Sequence, residues 1–192
     1  MTTQQQEISQ DSPNECMTEK LAIRPGTRSD IQEIVRVCTS SIEEGEDSGF
    51  GTPISESQFG RAENLLAAWR DPNLVGRREV FVAEMNGRLV GCASIEERAE
   101  EVELVDIDVV RDHQGQGIGS RIVLFVEDQA KKRGKRAVTL GTSRNASGVP
   151  WKSFPWWLNR GYEVTHEEEN EWTRSIAPGT REIRMRKHLS DY

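Results

Sequence analysis

Between Val109 and Ser120 the chain reads Val-Val-Arg-Asp-His-Gln-Gly-Gln-Gly-Ile-Gly-Ser, with Gly115, Gly117 and Gly119 at alternate positions. Where side chains shrink to hydrogen at a bend, several backbone N–H groups can converge on one small volume, and an anion fits there. A helix opening at Ile118 would add a partial charge of about +0.5 and its own unpaired N–H groups, which favours a phosphate or pyrophosphate. Three carboxylates, Glu103, Asp106 and Asp108, stand just upstream. By the two-residue period of a strand Asp106 and Asp108 share a face. An acidic pair inside a β-branched strand points either to proton transfer beside the loop or to a wet face whose aspartates pair with arginines.

Other phosphate loops fit less well. A P-loop needs Lys and then Ser or Thr after its last glycine, where this chain has Ile118 and Gly119, so it is excluded. A dinucleotide fingerprint needs G-x-G-x-x-G. Here the spacing is G-x-G-x-G with Ser120 in the third glycine's place, and the segment lies in mid-chain after a hairpin pattern. A turn that binds nothing is the plain alternative, although three alternating glycines lose backbone entropy with no structural return.

The elements that must position these residues emerge from period and punctuation. Leu21 to Arg24 suits a short strand, Thr27 or Ser29 can cap a helix, and Ile31, Ile34, Val35 and Cys38 recur at helical spacing just after them. An acidic break covers Gly45 to Thr52, and Phe59, Ala62, Leu65, Leu66 and Trp69 mark a second helix. Glu79–Met85 and Arg88–Ile95 flank Asn86-Gly87, a hairpin signal, and a further strand covers Val102 to Val110. Ile118, Ile122, Phe125, Val126 and Ala130 predict the helix after the glycines, closed by Gly134. Then come a strand from Arg136 to Gly141, a short helix from about Ser153 to Gly161, and strands at Tyr162–Val164 and Glu182–Met185 joined by an acidic loop. This order predicts an α/β sandwich of mixed sheet and helices.

The chain has 192 residues, 32 acidic and 25 basic side chains and a net charge of −7. That balance disfavours general binding to nucleic-acid phosphates. Residues 1–19 are polar and aperiodic, which predicts a disordered tail before a single domain over 20–192. No apolar run approaches the ~20 residues that cross a bilayer, and the N-terminus lacks a signal-peptide pattern, so a cytoplasmic protein is expected. Cys16, Cys38 and Cys92 are odd in number and widely spaced, offering neither a disulfide framework nor a zinc ligand pattern. No metal site is expected.

Gln114-Gly-Gln-Gly117-Ile-Gly119 resembles the Arg/Gln-x-x-Gly-x-Gly/Ala signature of the GNAT superfamily of acyl-coenzyme A-dependent N-acyltransferases. The element order from Leu21 to about Leu189 and the closing strand Ile183–Leu189 are similar to that family as well. The resemblance implies a mixed, mostly antiparallel central sheet flanked by helices, with two strands splayed at the acyl-coenzyme A site. It implies that Gln114, Gly115, Gln116, Gly117, Ile118, Gly119 and Ser120, with Arg121, hold the pyrophosphate of acetyl-coenzyme A. The strand edge at Ile107, Asp108 and Val109 would pair with the pantetheine amides, and Asn145 would touch the pantetheine arm. A primary amine, on a small molecule or a protein, would attack the thioester directly in a ternary complex. The Val109 N–H would stabilise the thioester oxygen, with Asp106 as first choice for the base and Glu103 as second. Many relatives form homodimers.

Several features stay open at this level. Lys131, Lys132, Arg133, Lys135 and Arg136 suit either a multiply phosphorylated cofactor or a solvated helix end whose macrodipole favours cations. Trp151, Phe154, Trp156 and Trp157 suit an acceptor pocket or a core. The acceptor is expected to enter between Ile42–Trp69 and Thr165–Thr180, both acidic in part. Family members often carry a tyrosine four residues before a Gly-Phe pair, as the acid for the leaving thiolate. Here Gly161-Tyr162 takes the place of that pair and Trp157 stands where the tyrosine would be. This departure keeps a second class in view, an acyl-coenzyme A-binding regulatory module without turnover.

Overall fold

The computed structural model describes residues 20–40, 61–69 and 77–189. The tail expected over 1–19 and the break at Gly45–Thr52 lie outside the described residues. Seven strands form one sheet: β1 (Ala22–Pro25), β2 (Glu79–Met85), β3 (Arg88–Glu97), β4 (Glu101–Val109), β5 (Ala137–Arg144), β6 (Glu163–Glu168) and β7 (Arg181–His188). The helices are α1 (Ile31–Ser40), α2 (Ala62–Ala68), α3 (Ile118–Lys132), α4 (Phe154–Leu158) and α5 (Glu171–Ile176). The strand order is β1-β2-β3-β4-β5-β7-β6, and every neighbouring pair is antiparallel except β4 and β5. Those two are parallel because α3 crosses between them.

Alternation along β2 separates two layers. Val80 and Val82 face α1 and α2 and pack with Ile34, Val37, Cys38, Leu65, Leu89 and Cys92. Phe81 and Ala83 face the other way, into the larger core that α3 fills with Ile118, Ile122, Val123, Val126 and Ala130. Asn86 and Gly87, with φ of 53° and 74°, make the tight turn that joins β2 to β3.

Two departures from a regular sheet position the site. Ser94 pairs with Asp106 but Ile95 pairs with Leu104, so Val105 has no partner of its own and β4 carries a bulge. The pairing of β4 with β5 covers only Glu101↔Ala137 to Leu104↔Leu140. Beyond it β4 stays on β3 as far as Val109↔Gly91, and β5 stays on β7 as far as Arg144↔Arg181. The sheet therefore opens between its halves.

The acidic connection between the last two strands is not the loop that its composition predicts. There β6 runs to Glu168 and α5 comes next, with Asn170 Oδ1 accepting from the Thr173 N–H and Thr173 Oγ1 accepting from the Asn170 N–H, both at 2.9 Å. Asn-Glu-Trp-Thr is a capping pair that the surrounding charge obscures. Among the described residues no helix is long and apolar enough to cross a membrane.

Candidate functional site

Past Leu104 the β4 edge has lost β5, and its backbone groups need other partners. The Val110 N–H donates to Val90 O on β3 at 2.9 Å. Antiparallel alternation then turns the N–H and C=O of Val109 and Ile107 away from β3 and into the opening, while those of Asp108 face β3. Of the three edge residues expected to pair with an extended ligand, two offer backbone groups to it. Gln114 Nε2 reaches back to the Val109 carbonyl at 3.0 Å, which ties the start of the glycine loop to this edge.

The chain enters α3 through a 3-10 turn at Arg111–His113, then Gly115 at φ +77° and Gly117 at φ +81°. Left-handed backbone favours glycine at both, and a Cβ at either would meet nothing within 4 Å, so the space over the loop is open. Gly119 differs, since a Cβ there would make ordinary contacts with Trp156 at 3.7 Å and Val109 at 3.8 Å. The fold alone would accept alanine at that position. The first helical hydrogen bond runs from the Arg121 N–H to Gly117 O at 3.1 Å. The N–H groups of Ile118, Gly119 and Ser120 therefore lack helix carbonyls, as first-turn donors do. Gln116 is held outside this turn, its Nε2 donating to Asp112 O at 3.0 Å. This is a cradle of donors facing open space, and it suits a diphosphate.

The charges fall differently from the sequence pattern. A helix of 15 residues spans about 22 Å, so the basic run sits at the far end of α3 from the loop. There Lys132 pairs with Asp128, Arg133 with Glu79 and Glu97, Lys135 with Glu97 and Arg136 with Glu100. Arg121 also turns away, its Nη2 donating to Leu21 O at 3.0 Å. Arg160 is a cation at the loop end that sequence reasoning missed. Its Nη2 donates to Ser120 Oγ, its Nη1 to Trp156 O at 3.2 Å, and its guanidinium lies 3.4 Å above the Trp156 ring centre. Among the described residues no carboxylate stands within ion-pair distance of it, and burial pulls its pKa below the usual arginine range. The one sequence signal was Trp156 four residues earlier.

The three carboxylates have distinct surroundings. Asp106 lies just past the bulge, where Ser94 Oγ donates to it at 2.6 Å and Arg78 Nη1 at 2.9 Å. Burial raises its pKa above the ordinary aspartate value, against the pull of Ser94 and Arg78. Glu103 still lies within the paired part of β4 and is gripped by Arg98 at 2.7 Å and Arg184 at 2.9 Å. Burial pushes Glu103 up, but the two arginines outweigh it and hold its pKa below the ordinary value. The bulge puts Glu103 and Asp106 on one face, which a regular strand would not do at this odd separation. Arg78 and Arg98 join them through Glu96, at 3.3 Å and 2.8 Å. Asp108 shares that face and nears Cys38 and Cys92. Glu182 of β7, also missed in the sequence, lies over Gly141, the first β5 residue past the last β4–β5 pair.

The aromatic cluster is core on its inner side. Trp157 is buried and meets Trp156 and Tyr162 edge to face at 4.5 Å and 5.3 Å. The Tyr162 hydroxyl donates to Glu127 at 3.2 Å, and burial raises its pKa far above the usual tyrosine value. The chain's other tyrosine, Tyr192, lies outside the described residues. Asn145 shapes the turn after β5, its Oδ1 accepting from the Val149 N–H at 2.8 Å.

The sequence profile of the Acetyltransferase (GNAT) family matches residues 40–148. Over 111 residues the chain is 32% identical to Probable N-acetyltransferase 14 of Xenopus tropicalis, a match covering 52% of each protein, so the similarity spans about half the length of that curated relative. In fold the chain is similar to the ribosomal-protein-S18-alanine N-acetyltransferase of Escherichia coli, with a TM-score of 0.66 at 17% identity over 90% of this chain and 96% of that one. It is also similar to the PaiA N-acetyltransferase of Thermoplasma acidophilum, solved in complex with coenzyme A, with a TM-score of 0.64 at 19% identity over 88% and 99%. A GNAT family acetyltransferase of Elizabethkingia anophelis with acetyl-CoA bound gives a TM-score of 0.56 at 20% identity over 88% and 98%. With the opened sheet, the donor cradle and a profile match across more than half its length, this chain belongs to the acetyltransferase (GNAT) family.

Proposed function

We propose that the protein moves an acetyl group from acetyl-coenzyme A to a primary amine, on a small molecule or a protein, by direct attack in a ternary complex. The observation that carries this reading is the parted β4 edge running straight into the N–H cradle of α3. An extended arm with two amides can pair with Ile107 and Val109 as a strand would, while its diphosphate lies on the amides from Gly115 to Ser120. Arg160 adds a cation beside Ser120. When bound there, acetyl-coenzyme A supplies the acyl group as a thioester.

The residues then divide the work. A free lysine-like amine has a pKa of about 10.4 and must lose a proton to attack. Asp106 takes that proton, because its raised pKa makes it a better acceptor than Glu103, which two arginines hold in its charged form. Ser94 and Arg78 fix the orientation of Asp106. The Val109 N–H would donate to the thioester oxygen as charge gathers on it, and on breakage of the carbon–sulfur bond the coenzyme A thiolate would leave and take a proton from solvent.

Calorimetry with acetyl-coenzyme A and a thiol-release assay over a panel of amines test the reading together. Binding with thiol release for at least one amine is expected. Absence of binding overturns the assignment, and binding without release for any amine supports the regulatory-module reading instead.

A further inference from the structure

Cys38 in the last turn of α1, Cys92 in the middle of β3 and Asp108 beyond the β4 bulge bring two sulfurs and a carboxylate oxygen within 4.8 Å of one another. We propose that these three residues form a binding site for a soft divalent cation, of which Zn2+ is the best fit.

The sulfur spacing carries the inference. The two Sγ atoms lie 3.6 Å apart. Two sulfurs that are each about 2.3 Å from a tetrahedral ion stand roughly 3.8 Å from one another. The cysteines therefore already hold the separation that such an ion imposes. A disulfide would instead draw the sulfurs in to about 2.05 Å.

The supports are rigid. Cys92 and Asp108 are direct register partners on adjacent antiparallel strands. Cys38 is fully buried in the cluster that packs α1 onto β2 and β3, and Cys92 is 2% exposed. Two sulfurs and one oxygen select Zn2+ or a similar ion over Mg2+ or Ca2+, which take oxygen sets. Three protein ligands leave a fourth position for water or another small donor.

The charge also balances. Each thiol releases its proton to solvent as its sulfur–metal bond forms. Two thiolates and the Asp108 carboxylate around a doubly charged ion carry the same formal charge as two thiols and that carboxylate alone. Ion binding thus adds no net charge to an apolar cluster, where an unpaired charge would be costly. The site stands whether or not the acyl-transfer reading does, since it is built from α1, β3 and the face of β4 turned away from α3.

The test uses the full chain, stripped with chelator, kept under a non-thiol reductant and titrated with Co2+. One ion per chain is expected, with sulfur-to-cobalt charge-transfer absorption, the intense visible bands of a tetrahedral site, and displacement by Zn2+. Cys38→Ala and Cys92→Ala should each abolish the charge-transfer bands. Asp108→Asn should keep sulfur absorption but weaken binding, which guards against loss of signal through misfolding of a cysteine variant. Cys16→Ala should change nothing. No cobalt uptake by the reduced chain overturns the proposal. So do bands that survive in both Cys38→Ala and Cys92→Ala, bands lost in Cys16→Ala, or Co2+ affinity unchanged in Asp108→Asn.

Discussion

The two ends of the sheet's central seam use charge in opposite ways. At the closed end, where Glu101–Leu104 pair with Ala137–Leu140, charged side chains are matched across elements: Glu103 with Arg98 and Arg184, Arg133 with Glu79 and Glu97, Lys135 with Glu97, Arg186 with Glu101. At the open end, past the Val105 bulge, Asp106 is half-buried and keeps a raised pKa despite its pair with Arg78, Arg160 stacks on a tryptophan, and the donors are main-chain N–H groups. On the proposed reading, the closed end holds the fold together and the open end receives the ligand. A residue's type therefore says less about its role than which side of the bulge it occupies, and a change at the open end is most informative beside its counterpart at the closed end.

The largest separation is expected between the two carboxylates of β4. Asp106→Asn should lower kcat by about 10²–10⁴, the range for a lost general base, with acetyl-coenzyme A affinity by calorimetry unchanged. Glu103→Gln should leave kcat near the parent value. Because Asp106 must be ionised to accept a proton and burial raises its pKa, kcat should fall as pH drops through a value above that of an ordinary aspartate. Asp106→Asn should erase that limb of the profile. Glu103 belongs to stability instead. Its depressed pKa means that its ion pairs stabilise the fold above the unfolded glutamate value and are lost as pH falls through the folded one. Glu103→Gln should therefore flatten the acid side of a Tm–pH curve. If Glu103→Gln abolishes turnover and Asp106→Asn does not, the assignment of roles to the two ends is reversed.

A smaller effect separates two glycines of matched geometry. Gly117 and Gly134 flank α3 at φ of +81° and +70°, and a Cβ at either would meet nothing within 4 Å. Alanine should cost each about 1–2 kcal/mol of stability through left-handed strain, read as similar falls in Tm. Only Gly117→Ala should also weaken acetyl-coenzyme A, by roughly 10–100-fold, as the strained turn shifts the cradle. Equal loss of affinity in both would mean that α3 acts through overall stability and not through its first turn.

Legibility in the sequence tracks the range of the interaction. Gln114 to Ser120, the Asn86-Gly87 turn and the apolar stripe of α3 are local patterns, and each stands where period and punctuation put it. The bulge at Val105 was not legible, because a register shift is a property of two strands and β4 alone reads as regular. Contacts across 28 residues for Arg78–Asp106, 40 for Ser120–Arg160 and 54 for Cys38–Cys92 leave no mark on spacing. The run from Lys131 to Arg136 errs in the other direction, since its local density is plain while its partners Glu79, Glu97 and Glu100 come from elsewhere in the sheet. Charge in a sequence counts ions, whereas a site depends on how the fold partners and buries each of them.

The smallest expected effect tests that distinction directly, with one arginine at each end of α3. Arg160→Gln removes a cation that touches Ser120 in the first turn, and Arg133→Gln removes one that donates to both oxygens of Glu79 at 2.8 Å. For Arg160→Gln, calorimetry should find acetyl-coenzyme A weakened about fivefold at physiological salt, because a partly exposed charge is partly screened, and more at low salt. Dephospho-coenzyme A, which keeps the diphosphate but lacks the 3′-phosphate, should lose the same factor if the guanidinium acts on the diphosphate. For Arg133→Gln the affinity should not move at any salt concentration, while Tm falls slightly from the loss of the Glu79 and Glu97 pairs. A salt-dependent loss of affinity in Arg133→Gln would show that the far end of α3 reaches the ligand after all. Unchanged affinity in Arg160→Gln would reduce its place above Trp156 to packing.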